Sequence, residues 1–113
     1  WGLFGGHIEP NETPEAAIWR ELVEEIGYTP PYLSQVEIDR GADVVRHVFY
    51  GSLTVPVETL TLQEGWDCGL LTLQQIQAGA AYSAIAGQTC PIGSAHQAIL
   101  LRFQQQLSEG RSP

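Results

Sequence analysis

The chain has 113 residues, 43% of them hydrophobic, which is enough for a single domain over residues 1–113 with one modest core. Its net charge of −8 comes from 13 acidic and 5 basic residues, and the basic residues are arginines without any cluster. This balance predicts no binding to duplex nucleic acid and none to an anionic membrane surface. No apolar run approaches the roughly 20 residues that span a bilayer, and no segment has a signal-peptide pattern.

Two cysteines, Cys68 and Cys90, have neither CxxC spacing nor histidines at zinc-finger spacing. We expect two reduced thiols in a cytoplasmic protein, with a disulfide as the alternative. The sequence contains no methionine and opens on Trp1-Gly2-Leu3, so we expect a processed, truncated or partial chain.

In chain order, the apolar segment Trp1–Phe4 predicts a strand end before a tight turn at Gly5-Gly6. A helix begins after Thr13, since threonine is a good N-cap and Pro14 suits the first helical position. Gly27 is expected to end this helix. Apolar residues at helical spacing predict its buried stripe: Ala16, Trp19, Val23 and Ile26.

Two strands, Tyr32–Ile38 and Val44–Val57, are predicted next, joined by a polar turn at Asp39–Asp43. A loop over Glu58–Gly69 follows, and then a short strand at Leu70-Leu71.

A small helix is predicted at Leu73–Gln77, and Ala80–Gly93 has no clear periodicity. Ser94 is expected to cap a last helix, and the chain end from Glu109 to fray. The expected buried face of that helix comprises His96, Ile99, Leu100, Phe103 and Leu107. The pattern as a whole predicts a mixed α/β fold with a mainly antiparallel sheet.

Six of the 13 carboxylates fall within seventeen residues: Glu9, Glu12, Glu15, Glu21, Glu24 and Glu25. On a helix, Glu21, Glu24 and Glu25 stand at i, i+3 and i+4 and therefore project to one side. Adjacent carboxylates repel each other unless a cation lies between them, and Mg²⁺ or Mn²⁺ prefers such oxygen ligands. Glycines at positions 5 and 6 would let backbone carbonyls approach the same ion.

The segment Gly6–Tyr28 reads Gly-x5-Glu-x7-Arg-Glu-Leu-Val-Glu-Glu-Ile-Gly-Tyr. It resembles the Nudix box at every fixed position, with Tyr28 a mild variant of the last apolar position. Phe4 stands where the family often has proline. The resemblance implies the Nudix fold, a mixed, mainly antiparallel sheet between helices. The family's N-terminal strands are absent from this sequence, so we expect further upstream residues or a partner at that sheet edge, with a homodimer possible.

The resemblance also implies a metal-dependent hydrolase that cleaves a diphosphate linkage by attack of water on phosphorus. The implied metal ligands, for Mg²⁺ or Mn²⁺, are Glu21, Glu24, Glu25 and Gly6. The implied catalytic residues are Glu21, Arg20 and Glu64, with Glu58 and Asp67 as alternatives to Glu64. The implied substrate contacts are Gly5, His7 and Glu9, while Glu12 and Arg20 are expected to brace the loop against the helix.

The implied substrate is a nucleoside diphosphate linked to another group. Oxidised nucleoside triphosphates, sugar nucleotides, ADP-ribose and dinucleoside polyphosphates all remain open. The alternative is a non-catalytic Nudix-like sensor, a class that usually loses glutamates of the box. A calcium-binding EF-hand is not indicated, because its Asp-x-Asp-x-Asp-Gly loop is missing.

Overall fold

The computed structural model describes residues 1–63, 65 and 67–110. In chain order the helices and strands are α1 (Pro14–Ile26), β1 (Ser34–Arg40), β2 (Val45–Tyr50), α2 (Leu73–Ala78), β3 (Ala80–Ser83), β4 (Gln88–Pro91) and α3 (Ser94–Ser108), with a 3₁₀ turn at Val57–Thr59 before α2. The mixed α/β class predicted from the sequence is therefore confirmed. The β structure within the described residues forms two separate two-stranded antiparallel sheets, β1–β2 and β3–β4.

The chain forms two compact units, one from residues 4–65 and one from residues 1–3 together with the described residues from 67 onward. In the first unit the buried apolar residues are Ala17, Leu22 and Ile26 of α1, and in the second they are Ala81, Ile92 and Ile99. No helix in the described part of the chain is both long and apolar enough to cross a membrane.

The ends of α1 follow from its sequence. Thr13 accepts a hydrogen bond from the Ala16 amide through its hydroxyl, and Pro14 is the first helical residue. Gly27 ends the helix in the left-handed conformation with a φ of 62°, which glycine adopts without steric cost, and its amide donates to the Val23 carbonyl. All three predictions at these ends are confirmed.

The buried stripe predicted for α1 is wrong in part. Ala16 is exposed and Val23 is 49% exposed, whereas Ala17, Glu21 and Leu22 are buried with Ile26. The burial of Glu21 has a local reason, since Gly6 of the preceding loop lies against its carboxylate. Hydrophobic spacing alone could not indicate a buried carboxylate.

The hairpin of β1 and β2 is confirmed, with β1 two residues later in the chain than predicted and β2 shorter. The register shifts between Gln35 and Glu37, which is a bulge at Val36. A bulge reverses the alternation of the side chains after it, and Ile38 is accordingly 41% exposed. The second strand ends at Tyr50 and does not reach Val57.

In the second unit, α2 is confirmed, and its capping box is formed by Thr72 and Gln75. The strand predicted at Leu70-Leu71 is wrong, since neither residue has strand structure and Leu70 is 72% exposed. The segment over Ala80–Gly93, which showed no periodicity, forms the β3–β4 hairpin. Its strands have four residues each, too few for a pattern to emerge.

The last helix, α3, starts at Ser94, but Gly93 is its N-cap and no side chain caps it. The predicted capping role of Ser94 is therefore wrong. Of the predicted face, Ile99 is buried and Leu107 is 47% exposed.

The first residues belong to this second unit and are not a strand. The Trp1 amino group donates to the Pro91 carbonyl at 2.8 Å, and the Trp1 carbonyl accepts from the Gly93 amide at 3.0 Å. His96, expected on the buried face of α3, accepts a hydrogen bond from the Leu3 amide at 2.8 Å through Nδ1.

Candidate active site

The candidate site lies within residues 4–65 and is built by the loop before α1 and the helix itself. The loop turns back at Glu9–Glu12, where the Glu12 amide donates to the Glu9 carbonyl at 3.0 Å and Asn11 has a φ of 65°. Proline followed by asparagine is typical of a type II turn, which requires a positive φ at its third residue. The pair Pro10-Asn11 therefore indicates a turn from sequence alone, although this turn was not among the predicted elements. The turn places Glu9 and Glu12 beside Arg20.

Arg20 is the centre of the site. Its Nε and Nη2 donate to the two carboxylate oxygens of Glu12 at 2.8 and 3.0 Å, a bidentate pair. Nη2 also donates to the His7 carbonyl at 3.1 Å. These bonds tie the loop to α1, which is the bracing predicted for Glu12 and Arg20.

The remaining nitrogen of the guanidinium, Nη1, faces the carboxylates of α1. Arg20 Nη1 donates to Glu21 Oε1 at 3.0 Å and to Glu24 Oε2 at 3.2 Å, and it lies 3.7 Å from Glu9 Oε1. One cation thus serves four carboxylates. The hydrogen bond from Arg20, followed by that from the Glu9 backbone, lowers the pKa of Glu12 to about 2. The hydrogen bond to Glu12, followed by the hydrogen bond to Glu21 and the charge of Glu9, raises the pKa of Arg20 above its usual value.

Glu21 is buried although it is charged, with 9% of its surface exposed. Its carboxylate lies against Gly6, where a Cβ atom would come within 2.9 Å of Oε2 and closer still to the other carboxylate atoms. Only glycine leaves room for the carboxylate here. The sequence predicted an approach of the Gly6 carbonyl to a metal ion, which stays a prediction; what the structure shows against Gly6 is the Glu21 side chain.

Glu25 and the glycine turn are also joined, since the Gly5 amide donates to Glu25 Oε2 at 3.2 Å. The C-terminal end of α1 is held by the segment that follows the 3₁₀ turn. The amides of Thr61 and Gln63 donate to the carbonyls of Ile26 and Glu25 at 3.1 and 2.8 Å. These bonds satisfy carbonyls that a helix C-terminus otherwise leaves without partners.

Other predicted site residues are placed as follows. Gly5, His7 and Glu9 are exposed on the loop. Glu64 lies outside the described residues. Of its two alternatives, Glu58 is exposed in the 3₁₀ turn, and Asp67, in the other unit, accepts a hydrogen bond from the buried Ser83 hydroxyl at 2.7 Å.

The donor set fits a hard divalent cation, because it consists of carboxylates on one side of a helix beside a glycine turn. In the arrangement described here, no three His, Cys, Asp or Glu side chains of residues 1–63, 65 and 67–110 converge closely enough to hold one metal ion. The contacts above give the physical reason: Glu21 and Glu24 are turned to Arg20, and Glu25 to the Gly5 amide.

The comparison with known families decides the identity of this arrangement. The model of the NUDIX domain matches residues 1–86, which is more than half of the chain and includes the whole loop and helix of the site. The chain belongs to the Nudix family. Its loop before α1 and the helix together are the Nudix box, and Glu12, Arg20 and Glu21 are three of the fixed positions of that box.

Two relatives of this Nudix chain carry related names. A Bacillus subtilis protein named "Putative 8-oxo-dGTP diphosphatase" is 34% identical over 56 residues, 48% of this chain and 38% of that protein. The 8-oxo-dGTP diphosphatase of Escherichia coli is 58% identical over 33 residues, 29% of this chain and 26% of that protein. The chain thus spans less than half the length of either relative. No solved structure matches it.

Proposed function

We propose that this Nudix domain hydrolyses a diphosphate linkage in a nucleoside diphosphate derivative, with Mg²⁺ or Mn²⁺ as cofactor. The observation that carries the proposal is the buried carboxylate of Glu21. It is held between Gly6 and Arg20 on the helix edge that also carries Glu24 and Glu25. A buried charge is costly unless it is paired, and Arg20 pairs with Glu21 while it is shared with Glu9, Glu12 and Glu24, which leaves an excess of negative charge for a further cation.

Glu21, Glu24, Glu25 and the Gly6 carbonyl would hold the ion. When bound, a divalent ion supplies the positive charge that lets a nucleophile approach an anionic diphosphate. The exposed Gly5, His7 and Glu9 are the proposed substrate contacts, because they lie on the loop beside these carboxylates.

The remaining steps involve water, the substrate and residues of the chain. The oxygen of water forms a bond to phosphorus, the bridging P–O bond breaks, and the leaving phosphate keeps the bonding electrons. Glu21 or Glu64 accepts the proton of the water. Gln63, the residue before Glu64, is fixed to the Glu25 carbonyl at 2.8 Å, which favours that segment as a source of a second carboxylate. Arg20, through Glu12 and the His7 carbonyl, holds the loop beside Glu21.

Both relatives have names that specify 8-oxo-dGTP, an oxidised purine nucleoside triphosphate. We therefore place oxidised nucleoside triphosphates first among the proposed substrates, ahead of sugar nucleotides, ADP-ribose and dinucleoside polyphosphates.

The test is a hydrolysis screen on these four substrate classes with Mg²⁺, with Mn²⁺ and with a chelator, for wild type, Glu24→Gln and Glu15→Gln. Glu24→Gln keeps size and helix propensity but removes one negative ligand, so we expect the rate to fall about a thousandfold. Glu15→Gln removes the same charge from an exposed position in the first turn of the same helix, and it should stay close to wild type.

Thermal stability measured on the same samples separates the alternatives. Stabilisation by nucleotide without metal, together with no hydrolysis of any substrate, would identify a sensor. Full activity of Glu24→Gln would show that the proposed metal site is misplaced.

A further inference from the structure

The guanidinium of Arg20 has two edges with different surroundings. The edge formed by Nε and Nη2 faces Glu12, whose side chain is only 14% exposed, through two bonds of 2.8 and 3.0 Å. The corner formed by Nη1 makes single contacts with three carboxylates: Glu21 at 3.0 Å, whose side chain is 12% exposed, and the more exposed Glu24 and Glu9 at 3.2 and 3.7 Å. The Glu12 contact is a fork of two bonds to one carboxylate, whereas the Nη1 contacts are single and are divided among three carboxylates, two of which are open to solvent.

These two contacts differ in how readily they can be exchanged. A bidentate arginine–carboxylate pair gains from fixed geometry as well as charge, whereas each Nη1 contact lacks the paired geometry, and those to the exposed Glu24 and Glu9 contribute little. A cation that arrives from solvent would therefore compete with Nη1 for Glu21 and Glu24, and the fork to Glu12 would survive.

We propose that Arg20 is a displaceable counterion. Its Nη1 corner neutralises Glu21 and Glu24 until a divalent cation takes its place, while the hydrogen bonds to Glu12 hold the rest of the guanidinium where it is. The inference rests on the proposed function, since it assumes that these glutamates bind the metal. Arg20 and Glu12 are then positioning residues that set metal affinity without being ligands.

This proposal predicts opposite effects from two neighbouring substitutions. Arg20→Gln removes the competing positive charge, so metal should bind more tightly. Glu12→Gln removes the charged partner of the guanidinium, so Arg20 should pair more strongly with Glu21 and Glu24. A divalent cation then competes less well for these two carboxylates, and metal should bind more weakly. If Arg20 and Glu12 only brace the loop, both substitutions loosen the same loop and both weaken binding.

The experiment measures the Kd of Mn²⁺ by electron paramagnetic resonance for wild type, Arg20→Gln, Glu12→Gln and the control Glu15→Gln, with folding checked by circular dichroism. Partners of metal ligands typically change affinity by about tenfold or more. We expect about tenfold tighter binding for Arg20→Gln, about tenfold weaker binding for Glu12→Gln, and a Kd for Glu15→Gln close to that of wild type.

A second measurement uses the wild type and is therefore independent of whether a variant folds. In a titration with Mg²⁺ followed by ¹⁵N NMR of the guanidinium groups, the Nη1 hydrogens of Arg20 should begin to exchange with water. The Nε hydrogen, bonded to Glu12, should stay protected.

Weaker Mn²⁺ binding by folded Arg20→Gln, unchanged binding by Glu12→Gln, or Nη1 hydrogens that stay protected with Mg²⁺ bound would overturn this inference and leave the proposed function standing. A wild type that binds no Mn²⁺ would overturn both.

Discussion

At the scale of single residues, Glu12 shows how a fixed position of the Nudix box acts through its neighbours. Its two oxygens accept from Arg20, and one of them also accepts from the Glu9 amide at 3.0 Å. Each of these bonds favours the ionised carboxylate, which is why its pKa is lowered from 4.5 to about 2. The loop is therefore held by a charge that persists in mild acid.

A pH dependence follows from this shift. Because the pKa of Glu12 is lower in the folded state than its ordinary value of 4.5, its contribution to stability is complete above that value. The contribution is lost as the pH falls through about 2. We expect the melting temperature of wild type to exceed that of Glu12→Gln at about pH 6, and the difference to vanish toward about pH 2.

Carbon-13 NMR of the Glu12 carboxylate gives a direct measurement of the same quantity. A midpoint near 4.5 would contradict the tight pair with Arg20.

Also at the residue scale, the structure adds a role to Gly6. The sequence predicted that its backbone would come close to a metal ion, because glycine has no side chain. The structure shows the Glu21 carboxylate in the space that a Cβ would fill. No spacing rule could indicate this contact, since it depends on how the loop folds onto the helix.

At the scale of elements, Tyr28 explains why a polar aromatic residue can stand at the last apolar position of the Nudix box. Its hydroxyl donates to the Ser52 carbonyl at 3.1 Å, accepts from the Thr54 amide at 3.0 Å and lies 2.8 Å from the Thr54 hydroxyl. The end of α1 is thereby fixed to the segment that follows β2.

Removal of this hydroxyl should be measurable. Tyr28→Phe leaves the Thr54 amide and the Ser52 carbonyl without this partner, so we expect the free energy of unfolding to fall by about 1–2 kcal/mol. The matched control is Tyr32→Phe, because Tyr32 is 50% exposed and its hydroxyl has one contact with Ser52, at 3.4 Å. Urea denaturation of the two variants beside wild type gives the comparison, and equal losses would show that the Tyr28 bonds contribute nothing specific.

The helices and strands also show which structural features sequence patterns predict and which they do not. The ends of α1 were predictable because Thr13, Pro14 and Gly27 act locally. The β3–β4 hairpin was not, because its pairing, such as Ala81 with Cys90, is made between strands too short to show alternation. The bulge at Val36 likewise depends on the partner strand.

At the scale of the whole molecule, the relevant question is whether the two compact units unfold together. The Nudix family model matches residues 1–86 and so includes residues of both units. We propose on this basis that residues 1–113 are one domain, as the sequence predicted.

Tryptophan fluorescence tests this proposal. Trp19 belongs to the unit of residues 4–65, and Trp1 belongs to the other, where its indole donates to the Ala81 carbonyl at 2.9 Å. Variants that retain only Trp1 or only Trp19 should show the same midpoint in urea, since a single domain of this size unfolds cooperatively. Two separate midpoints would mean that the units are independently stable.

The sequence by itself determined the family, the ends of α1, the β1–β2 hairpin and the residue types of the candidate site. These features rest on local interactions or on fixed spacing along one chain segment. Only the tertiary structure decided which side of α1 is buried and that Glu21 lies against Gly6. It also decided that one guanidinium serves Glu9, Glu12, Glu21 and Glu24. The physical reason is that burial and charge pairing depend on which segments meet in space, and the turn at Pro10-Asn11 brings the loop onto the helix.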